Sequence, residues 1–133
     1  MPSHDQNPVV YTPASSLTTS GGQTEGMIRQ SALVKLTPNI CASRMIAKPH
    51  SSSAVHHHGD QDTVVFAHKG RGVIVSEGGK KRVEVEEGGF ALIPAYAEHQ
   101  EVNESDEDVV WAIIRAPGDE PVVVNLEKGW GSS

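Results

Sequence analysis

Three consecutive histidines, His56, His57 and His58, carry the clearest chemistry in this sequence. Successive side chains of a β-strand point to opposite faces, so His56 and His58 share one face while His57 points to the other. Imidazole suits divalent metals such as Zn, Fe, Ni and Cu, and two imidazoles spaced in this way present two nitrogens to one ion. The pair predicts part of a metal site, although a solvated, histidine-rich strand edge is the alternative for the pair alone.

His99 is the third candidate ligand. The stretch GGFALIPAYAEHQEVN, residues 88–103, reads as a strand that ends at Pro94, a short turn, and a new strand that begins at His99. Such a turn would bring a third imidazole back to the first two. His56, His58 and His99 are therefore candidate ligands of one divalent metal ion, with Fe, Mn, Zn, Ni and Cu as the candidate metals. For His99 alone, an ordinary surface histidine is the alternative.

Short strands must position these side chains. From Ser31 to Leu126 the sequence shows ten short strand-like segments separated by turn residues, and helical periodicity is absent. Gly78 and Gly79, for example, supply the positive φ that a tight hairpin requires. Strands at such regular intervals predict an all-β fold, an antiparallel sandwich or jelly-roll β-barrel.

The chain length of 133 residues predicts a single domain. Residues 1–26 are rich in Ser, Thr, Gly, Gln and Pro, so we expect a flexible N-terminal arm or a strand exchanged between subunits. Residues 27–133 are then the β-barrel domain. The net charge of −6 disfavours the phosphate attraction on which nucleic-acid binding depends.

The expected location is the cytoplasm. A single cysteine, Cys41, allows no internal disulfide, and the first residues have neither the basic nor the apolar part of a secretory signal. The longest apolar run, from Val109 to Ile114, is far too short to span a bilayer, so no membrane partner is expected.

Residues 88–103 resemble the second motif of the cupin superfamily, GxxxxxPxGxxHxxxN. Gly88, Pro94, His99 and Asn103 occupy the motif positions, and Tyr96 replaces the middle glycine.

The first cupin motif, GxxxxxHxHxxxxExxxxxxG with three or four residues before the glutamate, is matched in part. His56, His58 and Gly70 fit, while His50 stands at the leading glycine and the glutamate is missing. The resemblance extends over about residues 49–117 and implies the cupin form of the jelly-roll barrel.

The missing glutamate leaves the fourth ligand open. Thr63, or Asp62 with the shorter spacing, occupies its position. Strand alternation places Gln61 and Thr63 on one face and Asp62 on the other, which favours the amide oxygen of Gln61, a residue that takes this place in similar cupins. Ligand chemistry favours the Asp62 carboxylate instead. Gln61 is our predicted ligand, with Asp62 as the alternative.

Two further residues are candidates for substrate binding. Arg115 alternates with Trp111 and Ile113 on a predicted strand, and its guanidinium could pair with a substrate carboxylate. Tyr96 precedes His99 in the loop and could donate its hydroxyl at the barrel mouth. A solvated arginine and a tyrosine that merely covers apolar surface are the alternatives.

The resemblance implies a metal-dependent enzyme that acts on a small oxygenated metabolite. A dioxygenase using Fe and a lyase, isomerase or decarboxylase using Mn, Zn or Ni are both compatible with it. The alternatives are a non-catalytic module that binds a small anionic metabolite and a storage-type relative whose histidines bind no metal. Cupins expose apolar edge strands and commonly pair them between subunits, so the resemblance implies a homodimer.

Overall fold

The computed structural model describes residues 8–19 and 26–132, and within these ranges the chain is built almost entirely from β-strands. The strands, in chain order, are β1 Thr18–Thr19, β2 Met27–Leu33, β3 Cys41–Ala47, β4 Ser51–Ser52, β5 His56–His57, β6 Asp62–Lys69, β7 Gly72–Ser76, β8 Lys81–Val85, β9 Phe90–Ile93, β10 His99–Asn103, β11 Val109–Ala116 and β12 Val124–Asn125. Short 3₁₀ turns occur at Ala14–Ser16 and Glu77–Gly79.

The strands form two antiparallel sheets. One has the order β1-β2-β3-β11-β6-β9, and the other has the order β12-β5-β10-β7-β8, with β4 paired to β10. The glycine-rich turn predicted between β7 and β8 is present, and Gly78 has a φ of 70° there. The prediction of an all-β, antiparallel jelly-roll barrel is confirmed.

The core lies between the two sheets and is mostly apolar. Strand alternation decides which residues enter it: β11 has the burial pattern of a strand whose odd-numbered residues point inward. Along that strand the buried side chains are apolar at Val109, Trp111 and Ile113 and then charged at Arg115. The end of β11 that carries Arg115 is therefore the end at which polar side chains enter the interior.

Close packing around Trp111 depends on Gly72. The Trp111 side chain is 1% exposed, and a Cβ atom at residue 72 would lie 2.1 Å from its Cζ2 atom. Only glycine leaves room for the indole at this point.

Part of the predicted N-terminal arm lies against the barrel. β1 pairs with β2 through Thr18 and Ser31, and the Thr12 hydroxyl donates a hydrogen bond of 2.9 Å to the carbonyl of Ala32. Residues 1–7 and 20–25 of the arm lie outside the described residues. The domain boundary at residues 26 and 27 stays a prediction.

Among the described residues no helix is long and apolar enough to cross a membrane. The cytoplasmic location stays a prediction.

Candidate metal centre

The structure brings together the three histidines that the sequence singles out. His56 begins β5, His58 follows that strand, and His99 begins β10 directly opposite His56. The ring centroids are 4.3 Å apart for His56 and His99, 4.9 Å for His56 and His58, and 5.0 Å for His58 and His99. All three side chains are buried. His57 faces the other way, and its ring packs near that of Tyr96.

Each of the three imidazoles is oriented by a backbone carbonyl. The Nδ1 atoms lie 2.7, 2.8 and 2.9 Å from carbonyl oxygens, in the pairs His56 with Ala54, His58 with Val122 and His99 with Ala97. A carbonyl oxygen only accepts hydrogen bonds, so each Nδ1 donates and each Nε2 of a neutral ring keeps its lone pair. This is the tautomer of a metal-binding histidine whose other nitrogen is held by a backbone oxygen.

Glu101 completes the cluster, and the sequence reasoning missed it. Its Oε2 lies 3.3 Å from Nε2 of His56, and its Oε1 lies 3.3 Å from Nε2 of His99. The Ser53 hydroxyl, 3.0 Å away, donates to Oε2. The signal that could have found it is the alternation already used for the first two histidines, because Glu101 stands two residues after His99 on one strand.

The Glu101 carboxylate stabilises positive charge beside the imidazoles. Burial by itself lowers the pKa of His56, but the Glu101 charge and the hydrogen bonds with Glu101 and the Ala54 carbonyl together outweigh burial and raise that pKa above 6.5. Burial likewise opposes ionisation of Glu101, yet the His56 charge and hydrogen bond hold the Glu101 pKa well below 4.5. Nε2 of His99 has no hydrogen-bond partner among the described residues. A metal ion would satisfy both imidazoles and the carboxylate at once.

His58 stays neutral for a different reason. Burial and the nearby charge of Arg115 lower its pKa from 6.5 to about 3. Nη2 of Arg115 lies 3.3 Å from Nε2 of His58. At neutral pH, Nε2 of His58 is thus unprotonated, and a ligand that binds there would displace the contact with Arg115 rather than a ring proton.

The spacing of the four donors suits one ion. The ligand atoms of His56, His58, His99 and Glu101 all lie within 4.8 Å of one another. Two atoms that each lie about 2.0–2.1 Å from a tetrahedral ion are about 3.3 Å apart, which is the distance of the Glu101 oxygens from two of the imidazoles. Three imidazoles and a carboxylate are a donor set that fits Zn, Mn, Fe, Ni or Cu.

Gln61, the predicted fourth ligand, is buried and hydrogen-bonded to backbone. Its Nε2 donates to the carbonyls of Pro117 and Glu120, both at 2.9 Å, and its Oε1 accepts from the amide of Val122 at 2.9 Å. These bonds tie the start of β6 to the segment that follows β11. The same segment supplies the carbonyl that orients His58.

Asp62 and Thr63, the two residues at the position of the missing glutamate, lie on opposite faces of β6, as strand alternation requires. Asp62 is exposed, and its Oδ1 accepts a hydrogen bond of 2.9 Å from the amide of Ala95. Thr63 points inward and is fully buried. Asp62 thus lies on the outer face of β6, and Thr63 on the inner face.

Tyr96, the first predicted substrate-binding residue, is largely exposed, at 65%. Its φ of 62° is left-handed, which explains why the family motif has glycine here. With His99 it lines a cavity of about 790 Å³ beside the edge strands β8 and β9. The structure thus places Tyr96 at an opening next to the histidine cluster.

Arg115, the second predicted substrate-binding residue, is 6% exposed and lines a different cavity, of about 720 Å³. Burial lowers the pKa of its guanidinium below the ordinary value, while the charge of Glu101 acts in the opposite direction. Cys41 lies directly opposite Arg115 on β3 and is also buried, and burial raises its thiol pKa above 9.0. The histidine cluster is thus flanked by two cavities, one at His99 and one at Arg115.

A family model described as the cupin domain matches residues 43–125. An uncharacterised protein of Aquifex aeolicus (strain VF5) is 33% identical over 105 residues, which cover 77% of this chain and 84% of that protein.

Solved structures share the fold at low sequence identity. The polyketide cyclase RemF from Streptomyces resistomycificus has a TM-score of 0.74 at 13% identity, covering 90% of this chain and 86% of its own. A predicted oxalate decarboxylase from Thermotoga maritima has a TM-score of 0.69 at 19% identity, covering 81% of this chain and 99% of its own. Together, the family match and the A. aeolicus relative establish that the chain is a member of the cupin superfamily.

Proposed function

We propose that this chain is a metal-dependent cupin enzyme that acts on a small oxygenated metabolite. The observation that carries the proposal is the set of three buried Nε2 atoms, on His56, His58 and His99, that face one another and the Glu101 carboxylate. The proposed ligands are these three histidines and Glu101. The similar structures include a polyketide cyclase and a predicted oxalate decarboxylase, which supports an enzyme over a storage protein.

Glu101 replaces the glutamate ligand of the first cupin motif, which this chain lacks. The motif has glutamate on the strand after the histidine pair, where this chain has Thr63. The carboxylate comes from β10 instead, two residues after His99. We therefore propose Glu101, rather than Gln61, as the fourth ligand, because Gln61 already uses both amide hydrogens and its oxygen in backbone hydrogen bonds.

The groups around the proposed site have different roles. A bound divalent ion supplies a Lewis acid that polarises a substrate oxygen. The backbone carbonyls hold the three imidazoles in one tautomer, and Ser53 holds the Glu101 carboxylate by a hydrogen bond. Arg115 brings a positive charge close to His58. These preset positions reduce the reorganisation that substrate binding requires.

Metal content tests the site directly. Protein purified without a histidine tag should contain about one divalent ion per chain, and His99→Ala should weaken binding by at least about 100-fold, more than the loss of an outer-shell partner costs. His68→Ala is the matched control, since His68 is an exposed histidine of β6. Unaltered circular dichroism would show that each variant folds. Equal metal content in His99→Ala and wild type would refute the metal site.

Oxygen dependence separates the two enzyme classes. Protein loaded in turn with Fe, Mn, Zn, Ni and Cu would be assayed on a panel of small organic acids with and without oxygen. Turnover that consumes oxygen supports a dioxygenase, and turnover under strict anaerobiosis supports a lyase, isomerase or decarboxylase. Saturable binding without product across the whole metal series would support a non-catalytic binding module instead.

We also propose a homodimer. The outer face of the first sheet carries an apolar group aligned by the strand register across β11, β6 and β9, with exposures of 36%, 39%, 64% and 72% for Ile114, Val64, Leu92 and Phe90. Apolar surface beside an edge strand favours pairing with a second copy. Light scattering should give twice the chain mass for wild type and the single-chain mass for Leu92→Asp; a monomeric wild type would refute the dimer.

A further inference from the structure

The three buried side-chain polar atoms that lack a hydrogen-bond partner in the described ranges, 8–19 and 26–132, come together in one place. They are Nε2 of His99, Nε of Arg115 and Oγ1 of Thr63. Thr63 and Arg115 are direct register partners on β6 and β11. Arg115 contacts His58, whose ring centroid is 5.0 Å from that of His99. The proposed ion would take up Nε2 of His99, which leaves the unpaired atoms of Arg115 and Thr63. Because buried polar groups are normally paired, these two atoms indicate a further missing ligand.

The Arg115 guanidinium offers this ligand two neighbouring N–H donors. Its Nε has no hydrogen-bond partner among the described residues, and its Nη2 lies 3.3 Å from Nε2 of His58. A metal held by His58 would take that lone pair and release Nη2. Two parallel N–H donors from one guanidinium match the two oxygens of a carboxylate.

The local charge also calls for an anion. With neutral histidines, Glu101 and Arg115 are the charged side chains among the buried described residues, and their charges cancel. A bound divalent ion would leave about two positive charges in surroundings sheltered from water. Uncompensated buried charge is costly, so an anionic ligand would stabilise the loaded site.

The cavity at Arg115 is positively charged although the whole chain is negative. Its charged lining residues are four bases and one acid: Arg29, Lys35, Arg44, Arg115 and Glu120. The net charge of the chain is −6, so the basic residues are concentrated here against the general balance. A cavity with one sign of charge raises the local concentration of ligands with the opposite charge. Its volume of about 720 Å³ accommodates a small metabolite.

We propose that the ligand is a small organic acid that carries a carboxylate with a neighbouring hydroxyl or oxo group. Arg115 and Thr63 bind the carboxylate, and the neighbouring oxygen faces the histidine cluster. This inference rests on the proposed metal site and adds the substrate class and two specificity-determining residues to it.

Calorimetric titration of the Zn²⁺-loaded full chain with lactate and with lactamide tests the inference. The two probes have nearly the same size, but lactamide lacks the charge. Hydrogen bonds to charged groups correspond to roughly 10–100-fold in affinity. We therefore expect lactamide to bind at least about tenfold more weakly than lactate.

Three variants locate the binding site. Arg115→Met should weaken lactate binding by about 30-fold or more, and Thr63→Val by about fivefold. Arg71→Met is the control, because Arg71 is exposed and pairs with Glu84 at the surface. Thr63→Val replaces a hydroxyl without a partner by a methyl group of similar size, so it should fold even if Arg115→Met does not.

Zinc content measured on the same samples separates the two possible failures. If wild type binds no zinc, the proposed metal site fails. If zinc binds but lactamide matches lactate, or Arg115→Met and Thr63→Val leave lactate binding unchanged, the metal site stands and the carboxylate inference is overturned.

Discussion

Replacing Glu101 with glutamine tests the least expected ligand of the proposed centre. The substitution keeps the shape of the side chain and removes its charge. In the structure the carboxylate oxygens lie 3.3 Å from two Nε2 atoms, those of His56 and His99. Without the carboxylate an ion would lose a ligand and the only buried negative charge among the described residues.

The expected size of the effect follows from ligand linkage. Loss of an outer-shell partner costs about 10–100-fold in metal affinity, so loss of a direct ligand should cost at least about 100-fold. At an ion concentration about 1,000 times the wild-type Kd, binding stabilises wild type by about 4.1 kcal/mol. A 100-fold weaker variant then gains only about 1.4 kcal/mol. For a chain of this size the metal-induced rise in Tm becomes about 12–20 °C for wild type and about 4–7 °C for Glu101→Gln.

Thermal unfolding with and without metal measures this difference within each protein. The metal-free stability of the variant therefore drops out of the comparison, although His56 loses its countercharge and can release its proton. Glu104→Gln is the matched control, because it removes one charge from an exposed residue just after β10. A metal-induced shift in Glu101→Gln equal to that of wild type would refute Glu101 as a ligand.

Four further predictions concern pH, a buried amide and two backbone positions. Metal affinity should fall about tenfold per pH unit below the raised pKa of His56, because one proton then competes with the ion; competition titrations at pH 6–8 that give no slope would contradict this. Gln61→Leu should lower the free energy of unfolding by about 2–4 kcal/mol. It should lower metal affinity less than tenfold, whereas removal of a metal ligand would lower that affinity about 100-fold or more. In urea unfolding, Gly72→Ala should lower the free energy of unfolding by about 3 kcal/mol, because the new Cβ clashes with the Trp111 indole. Gly88→Ala should lower it by only about 1 kcal/mol, because a Cβ there meets no atom within 4 Å. Equal losses in the two variants would refute the packing argument. At the left-handed residue Tyr96, the glycine variant should be about 0.5–1 kcal/mol more stable than the alanine variant, and the reverse order would exclude backbone strain there.

Local pattern was sufficient for the class of fold. Short strands, turn glycines and the absence of helical periodicity predicted an antiparallel β-barrel, because alternation and turn chemistry act over a few residues. The same alternation placed Thr63 inward and Asp62 outward, as the structure has them. Motif spacing identified three histidines, and the fold places their ring centroids within 5.0 Å of one another.

The roles of Gln61 and Glu101 depended on the tertiary structure. Strand parity can say that a side chain points inward, but it does not say which partners meet it there. Gln61 meets the backbone that follows β11, and Glu101 meets imidazoles from a neighbouring strand. Both outcomes depend on the packing of segments far apart in the chain, which no local spacing contains.

By itself, the sequence determined the strand-forming segments, their inward faces and the presence of imidazoles with metal-binding spacing. Only the tertiary structure decided that a carboxylate from β10 faces those imidazoles and that Nε of Arg115 and Oγ1 of Thr63 are buried without a hydrogen-bond partner among the described residues. The physical reason is that alternation is a property of one strand, whereas a site is made by the register between strands and by the packing of two sheets.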